Sequence, residues 1–126
     1  MDKPVSIITI RRLAIIYILI LVALSVYPFN MLGHQKTFFY KIEFRLDYLT
    51  HFIIYLPFIW LFIRGLNKKI WVSLLWGFLT AVGTEYIQYH IPYRTFNIND
   101  LLANVFGILA GALLFLFFIK HKISSL

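Results

Sequence analysis

Four long apolar runs constrain the fold of this chain more than any other feature of its sequence. They cover about residues 13–29, 47–63, 70–89 and 100–119. An α-helix rises about 1.5 Å per residue, so runs of roughly 17 to 20 residues cross a bilayer core of roughly 30 Å. The runs are continuously apolar and do not alternate with polar residues, which favours helices over a membrane barrel. We therefore expect an all-α, polytopic membrane protein with four transmembrane helices in two helical hairpins.

The composition agrees with a membrane protein and excludes several kinds of site. Hydrophobic residues make up 61% of the chain, which is more than a soluble domain of this size usually carries. The chain contains no cysteine, which excludes disulfides, thiolate nucleophiles and cysteine-ligated metals. No compact metal-binding pattern occurs either, and we expect no metal and no cofactor. The length of 126 residues fits one membrane domain over residues 1–126.

The positions of Lys and Arg predict how the helices are oriented in the membrane. The chain has 12 Lys and Arg against five Asp and Glu. The termini and the second connection hold Lys3, Arg11, Arg12, Arg64, Lys68, Lys69, Lys120 and Lys122. The first and third connections hold Lys36, Lys41, Arg45 and Arg94. Because basic segments stay in the cytoplasm, we expect a cytoplasmic (inner) membrane protein with both termini cytoplasmic, and no nucleic-acid partner.

Polar residues concentrate at the ends of the runs that this orientation places on the outer face of the membrane. Only 13% of the chain is charged, so their concentration needs an explanation. The residues are Asp47, His51, Glu85, Gln88, Arg94, Asp100 and Asn104. Residues three or four apart share one helical face, so those on each helix can point inward together. We therefore expect them to form a single polar site in the outer leaflet.

The polar faces end a short way into the membrane. Beyond Tyr55 and Asn104, the residues toward the cytoplasm are almost wholly apolar. A proton or ion path would need polar groups at further depths. The pattern therefore favours a bowl that opens to the outside, and argues against a pore through the membrane.

The fourth run follows Asn97-Ile98-Asn99, and we expect Asn99 or Asp100 to cap its helix.

Small residues and a proline predict how the helices pack. Gly107 and Gly111 form a G-x-x-x-G pattern in the fourth run, and Gly77 with Ala81 forms a similar pattern in the third. Such patterns let helix backbones approach closely, so we expect the third and fourth helices to be the tight pair. Pro57 predicts a kink in the second helix.

A short repeat relates the second and fourth runs. Asp47 and His51 in one have the same spacing as Asp100 and Asn104 in the other, and both pairs open a helix that runs inward. An internal duplication would relate the two hairpins by a pseudo-two-fold axis along the membrane normal. Chance similarity is an ample explanation for so short a match, and both explanations stay open.

The order and spacing of these motifs resemble the VanZ-like family. The motifs are Asp47-x-x-x-His51-Phe-x-x-Tyr55, Glu85-x-x-Gln88, Arg94 and Asp100-x-x-x-Asn104-x-x-Gly107-x-x-x-Gly111. They span residues 47–111 of the chain. The resemblance implies a small bacterial integral membrane protein of the cell envelope. The namesake of the family is linked to low-level resistance to teicoplanin, a glycopeptide that binds cell-wall precursors.

The first of three functional hypotheses is an accessory protein that binds a cell-envelope lipid or a lipid-linked cell-wall precursor. Arg94 would offer its guanidinium to a phosphate or carboxylate of that ligand. The other residues expected to bind the ligand are Asp47, Gln88, Asp100 and Asn104. Membrane lipids are the expected partners, and the oligomeric state stays open.

Two alternatives use the same residues differently. In a small membrane enzyme acting on a lipid-linked phosphate or ester, Glu85 and His51 would be the catalytic acid and base. In a structural or partner-binding bundle, Arg94 would pair with Glu85 or Asp100 and hold the outer turn closed. The sequence does not decide whether the protein is an enzyme.

Overall fold

A computed structural model describes residues 6–26, 46–92 and 96–124 of the chain. These ranges contain α-helices and no strand, and the helices are α1 (Ile7–Val26), α2 (Leu46–Tyr55), α3 (Phe58–Leu66), α4 (Ile70–Tyr89) and α5 (Ile98–Ser124). Because α2 and α3 follow each other closely, they form one apolar span over Tyr48–Leu66. The described chain therefore has four spans long and apolar enough to cross a membrane, which confirms the predicted fold class.

Two helices begin earlier than the apolar runs because polar side chains cap them. The Ser6 hydroxyl accepts a hydrogen bond from the backbone N–H of Thr9 at 3.2 Å, so α1 begins at Ile7 instead of near residue 13. The Asn97 side chain accepts one from the backbone N–H of Asn99 at 3.0 Å, so α5 begins at Ile98. The cap of α5 is therefore Asn97, and the expectation of Asn99 or Asp100 was wrong.

The second span is broken between α2 and α3, as its proline predicts. Pro57 has no N–H to continue the helical hydrogen bonds, and its ring crowds the preceding turn. The N–H of Leu56 donates to the carbonyls of Phe52 and Ile53 at 3.1 and 3.3 Å, which tightens the last turn of α2. The hydroxyl of Tyr17 on α1 donates to the carbonyl of Ile54 at 2.5 Å. A side chain from α1 thus forms a hydrogen bond with a backbone carbonyl beside the break.

The closest packing joins α2 to α5, which corrects the expectation that the third and fourth spans form the tight pair. The glycines of α5 explain the difference. A Cβ atom on Gly107 would clash with the carbonyl oxygen of Phe52, and one on Gly111 would clash with that of Leu56. The α5 backbone therefore lies directly against the last turn of α2 and the break. The contact of α4 with α5 is looser and passes through Gly77.

The half of the bundle that contains α3 has an apolar interior. Its core includes Phe58, Ile59, Phe62, Ile108 and Phe115. The rings of Phe58 and Phe62 stack with their centroids 4.3 Å apart. Ser73 is also buried there, but its hydroxyl donates to the Lys69 carbonyl of its own helix. Within the described ranges, the connected polar side chains therefore lie in the other half of the bundle.

Candidate functional site

Five polar side chains lie together at the end of the bundle where α2 and α5 begin and α4 ends. We call them the polar cluster, and they are His51, Glu85, Gln88, Asp100 and Asn104. Glu85 and Asn104 are fully buried, Gln88 is 2% exposed and Asp100 is 8% exposed. Their spacing within each helix places them on interior faces, as the sequence predicts. All five belong to the residues predicted to form the site.

Asn104 is the centre of the polar cluster because its amide joins three helices. Its Nδ2 donates a hydrogen bond to Glu85 Oε1 of α4 at 3.3 Å. Its Oδ1 accepts a hydrogen bond from His51 Nδ1 of α2 at 3.0 Å. A buried amide that loses its partners costs about 1–3 kcal/mol, so these two bonds fix the position of the Asn104 side chain.

His51 and Asp100 form the accessible edge of the polar cluster. His51 Nε2 lies 3.9 Å from Asp100 Oδ2, which is longer than a hydrogen bond. The side chains of His51 and Asp100 are 19% and 11% exposed, whereas Glu85 is fully buried behind them. A molecule that reaches the polar cluster would therefore meet the His51–Asp100 pair first.

Tyr55 and Thr84 close the polar cluster toward the middle of the bundle. The Thr84 hydroxyl donates to the Ala81 carbonyl at 3.0 Å, so the Tyr55 hydroxyl, 2.8 Å away, donates to Thr84 Oγ1. Thr84 was not among the residues predicted to form the site. Its spacing of four residues before Gln88 places both on one face of α4, and this signal could have identified it.

Two of the predicted site residues are not placed by the structure. Asp47 lies on α2 one turn before His51, but its side chain lies outside the described residues. Arg94 also lies outside them, between the described residues Pro92 and Phe96. Among the described side chains, no group of three or more His, Cys, Asp or Glu is arranged to hold a metal ion.

A shallow apolar groove lies beside the polar cluster on the outside of the bundle. Val26 at the end of α1 and Tyr86, Ile87, His90 and Ile91 of α4 and the following turn line it. The His90 ring packs edge-on against Tyr86, with centroids 4.6 Å apart, and its Nδ1 donates to the Tyr86 carbonyl at 3.0 Å. Exposed tyrosines at the end of a span are typical of the membrane interface.

Comparison with known proteins identifies relatives of the chain by sequence. A family model described as VanZ/LLP1 matches residues 14–119. An uncharacterized protein of Schizosaccharomyces pombe is 27% identical over 85 residues, an alignment that covers 64% of this chain and 52% of that protein. The chain thus spans about half the length of this relative. No solved structure matches the chain.

Proposed function

The chain belongs to the VanZ/LLP1 family, and on that premise we propose that its polar cluster binds the headgroup of a cell-envelope lipid or a lipid-linked cell-wall precursor. One observation carries this proposal. Three membrane-spanning helices bury connected polar side chains at one end of the bundle, and the His51–Asp100 edge of this cluster is accessible. The protein would act as an accessory component of the envelope.

The energetic cost of the polar cluster argues for a use beyond packing. A charged side chain costs about 2.5–3.5 kcal/mol at the centre of a membrane helix and less toward the helix ends, where Glu85 and Asp100 lie. Ionisable residues within membrane spans are nevertheless rare and usually mark a functional site. Close contact between α2 and α5 is already provided by Gly107 and Gly111, which need no polar partners. Keeping both Glu85 and Asp100 is therefore difficult to explain by helix packing alone.

The apolar groove supports a lipid as the ligand. Residues of one helical segment serve both surfaces, because Glu85 and Gln88 face the polar cluster while Tyr86 and Ile87 line the groove. A lipid could place its headgroup at the polar cluster and lay an acyl or isoprenoid chain along the groove. Buried apolar area along the chain would then add to the hydrogen bonds of the headgroup.

Arg94 remains the proposed anchor for the phosphate or carboxylate of the ligand. It follows Gln88 by six residues and precedes Asp100 by six, and both of these side chains belong to the polar cluster. A guanidinium binds a phosphate through two parallel hydrogen bonds, which a lysine does not reproduce. Asp47, one turn before His51 on α2, would complete the same side of the site.

The distribution of charge supports an outward-facing site. Arg11 near the start of α1, Arg64 at the end of α3 and Lys120 near the end of α5 are exposed at the opposite end of the bundle from the polar cluster. Basic residues are usual on the cytoplasmic side, which supports the proposal that the polar cluster lies at the outer face of the inner membrane. Such a site could reach cell-wall precursors, and a part in glycopeptide resistance is the corresponding proposal.

Native mass spectrometry of the purified protein tests lipid binding directly. The probes are phosphatidylglycerol and undecaprenyl phosphate, with diacylglycerol as the phosphate-free control. We expect the wild-type protein and Arg64→Ala, a matched change at the opposite end of the bundle, to retain the phosphate-bearing lipids. Arg94→Ala should weaken this binding about tenfold or more, because it removes charge-assisted hydrogen bonds. Equal binding of diacylglycerol, or no effect of Arg94→Ala, would contradict the proposal.

Acid–base catalysis on a lipid-linked phosphate or ester is a second candidate function. The observation that favours it is the position of His51, which lies beside Asp100 at the accessible edge and is joined to Glu85 through Asn104. Incubation with undecaprenyl pyrophosphate, followed by assay of inorganic phosphate, tests one such reaction. A catalytic role requires that Glu85→Gln and His51→Gln abolish phosphate release while the lipid remains bound. Loss of binding in both variants would instead support the accessory function.

A further inference from the structure

We propose that Glu85 and Asn104 hold His51 in the tautomer protonated on Nδ1, so that His51 Nε2 and Asp100 Oδ2 form a two-acceptor site for a hydrogen-bond donor of the lipid headgroup. The ligand in this inference rests on the proposed function. The tautomer and the geometry of the two acceptors rest on the contacts of the polar cluster alone.

The Asn104 amide turns its NH₂ toward Glu85 and its oxygen toward His51. Asn104 presents its NH₂ to Glu85 Oε1 at 3.3 Å, the arrangement that suits an ionised carboxylate, which only accepts hydrogen bonds. The amide oxygen then faces His51. In the reversed orientation, the amide oxygen and the carboxylate oxygen would face each other in a buried environment, which is unfavourable.

This orientation of the amide determines which nitrogen of His51 carries the proton. The Asn104 oxygen accepts from His51 Nδ1 at 3.0 Å, so Nδ1 carries a hydrogen. In a neutral imidazole one nitrogen donates and the other accepts, which leaves Nε2 as the acceptor. The fully buried Glu85 thus determines, through Asn104, which nitrogen of the accessible histidine can take a proton.

His51 Nε2 and Asp100 Oδ2 lie at a distance that one shared hydrogen-bond donor can bridge. Two acceptors, Nε2 and Asp100 Oδ2, lie 3.9 Å apart, too far for a direct hydrogen bond. A donor atom between them can be about 2.8 Å from each, an ordinary hydrogen-bond length. An ammonium or hydroxyl group of a headgroup has this chemistry. The site selects donors and disfavours headgroups that lack an N–H or O–H.

His90 provides an internal reference for the tautomer. Its Nδ1 donates to the backbone carbonyl of Tyr86 at 3.0 Å, so His90 should have the same tautomer for a reason unrelated to Glu85. The chain has four histidines, and the variants His51→Gln and His90→Gln assign the two signals.

Long-range ¹H–¹⁵N correlation spectra of histidine-labelled protein in micelles, recorded at pH 7.5, test the tautomer. We expect the neutral form of both His51 and His90 to carry its proton on Nδ1. Glu85→Gln, whose side-chain amide can present either its oxygen or its nitrogen to Asn104, should shift His51 toward a mixture of tautomers and leave His90 unchanged. A His51 protonated on Nε2, or on both nitrogens, would overturn the inference, because Nε2 would then already donate toward Asp100.

Lipid selectivity tests the two-acceptor site. Native mass spectrometry compares phosphatidylethanolamine with phosphatidylcholine, both with the same acyl chains. Phosphatidylcholine has the same phosphate and positive charge but no N–H donor. We expect the wild-type protein to hold phosphatidylethanolamine about tenfold more tightly. Asp100→Asn should reduce this preference, whereas Asn99→Ala, at an exposed neighbouring position, should keep it.

The two proposals fail in different ways. Equal binding of phosphatidylethanolamine and phosphatidylcholine that still depends on Arg94 would overturn the donor site and leave the proposed function standing. Absence of any phosphate-dependent lipid binding would overturn the proposed function, and with it the ligand assigned here.

Discussion

Replacing Gly111 of α5 with alanine should destabilise the bundle, although alanine is the better helix former. The added Cβ would lie closer than 3.0 Å to the carbonyl oxygen of Leu56, a separation that real Cβ atoms essentially never show. The obstructing atom belongs to the backbone at the break between α2 and α3, so no side-chain rotation can relieve the clash. The two helices would have to separate.

The magnitude follows from two opposing effects. Ordinary contact distances of about 3.5–4.0 Å require α5 to move away from α2 by roughly 1 Å or more. Overpacking of this kind costs about 1–3 kcal/mol, while exchanging glycine for alanine in a helix returns about 0.5–1 kcal/mol. We therefore expect a net loss of up to about 2.5 kcal/mol. Thermal unfolding in detergent micelles, followed by circular dichroism, measures it.

Gly83→Ala is the matched control for this prediction. Gly83 lies on α4, and a Cβ atom there would have no neighbour within 4 Å. The same exchange should therefore leave stability unchanged or raise it. Equal stability of Gly111→Ala and Gly83→Ala would refute this prediction, because the close approach of α5 to the break would then not limit the stability of the fold.

Two further predictions concern α1 and the orientation of the bundle. Tyr17→Phe removes the hydroxyl that donates to the Ile54 carbonyl beside the break, and should lower the free energy of unfolding by about 1–2 kcal/mol in the same assay; an unchanged stability would show that the bond is dispensable. Single cysteines at Gln35 and Lys68 test the topology in whole cells with an impermeant thiol reagent, since the chain has no cysteine of its own. Labelling at position 35 alone would agree with a polar cluster on the outer face, and labelling at position 68 alone would reverse the orientation. Lys68 is preferable to Asn67 as the second position, because the φ of 51° at Asn67 disfavours other side chains.

The helices and the grouping of polar residues could be predicted from the sequence because both depend on local spacing. An apolar run of sufficient length indicates a membrane span, and residues three or four apart lie on one face. These two rules were enough to predict that His51, Glu85 and Asn104 lie at the same end of the bundle. The roles of these residues in binding or catalysis stay predictions.

The partners of individual side chains could not be predicted in the same way. The small residues at Gly107 and Gly111 show that a backbone can approach α5, but not which helix does so, and the expected partner α4 was wrong. The choice depends on how the helices cross. The α2–α3 span has backbone carbonyls at its break, and the glycines of α5 allow this backbone to pack closely against α5. Likewise, the bond between His51 and Asn104 follows from the α2–α5 contact and leaves no local pattern.

The contact between α2 and α5 also bears on the repeat seen in the sequence. His51 meets Asn104, and Gly111 meets Leu56, so the two helices run in the same direction along their contact. His51 and Asn104 are separated by 53 residues and occupy corresponding positions of the repeat. Parallel helices whose equivalent residues touch are what a two-fold axis along the membrane normal would produce, so the geometry supports a duplication. On that hypothesis the polar cluster lies at the axis. Its two halves then differ where the chemistry requires it, because one copy carries the imidazole and the other carries the amide that orients it.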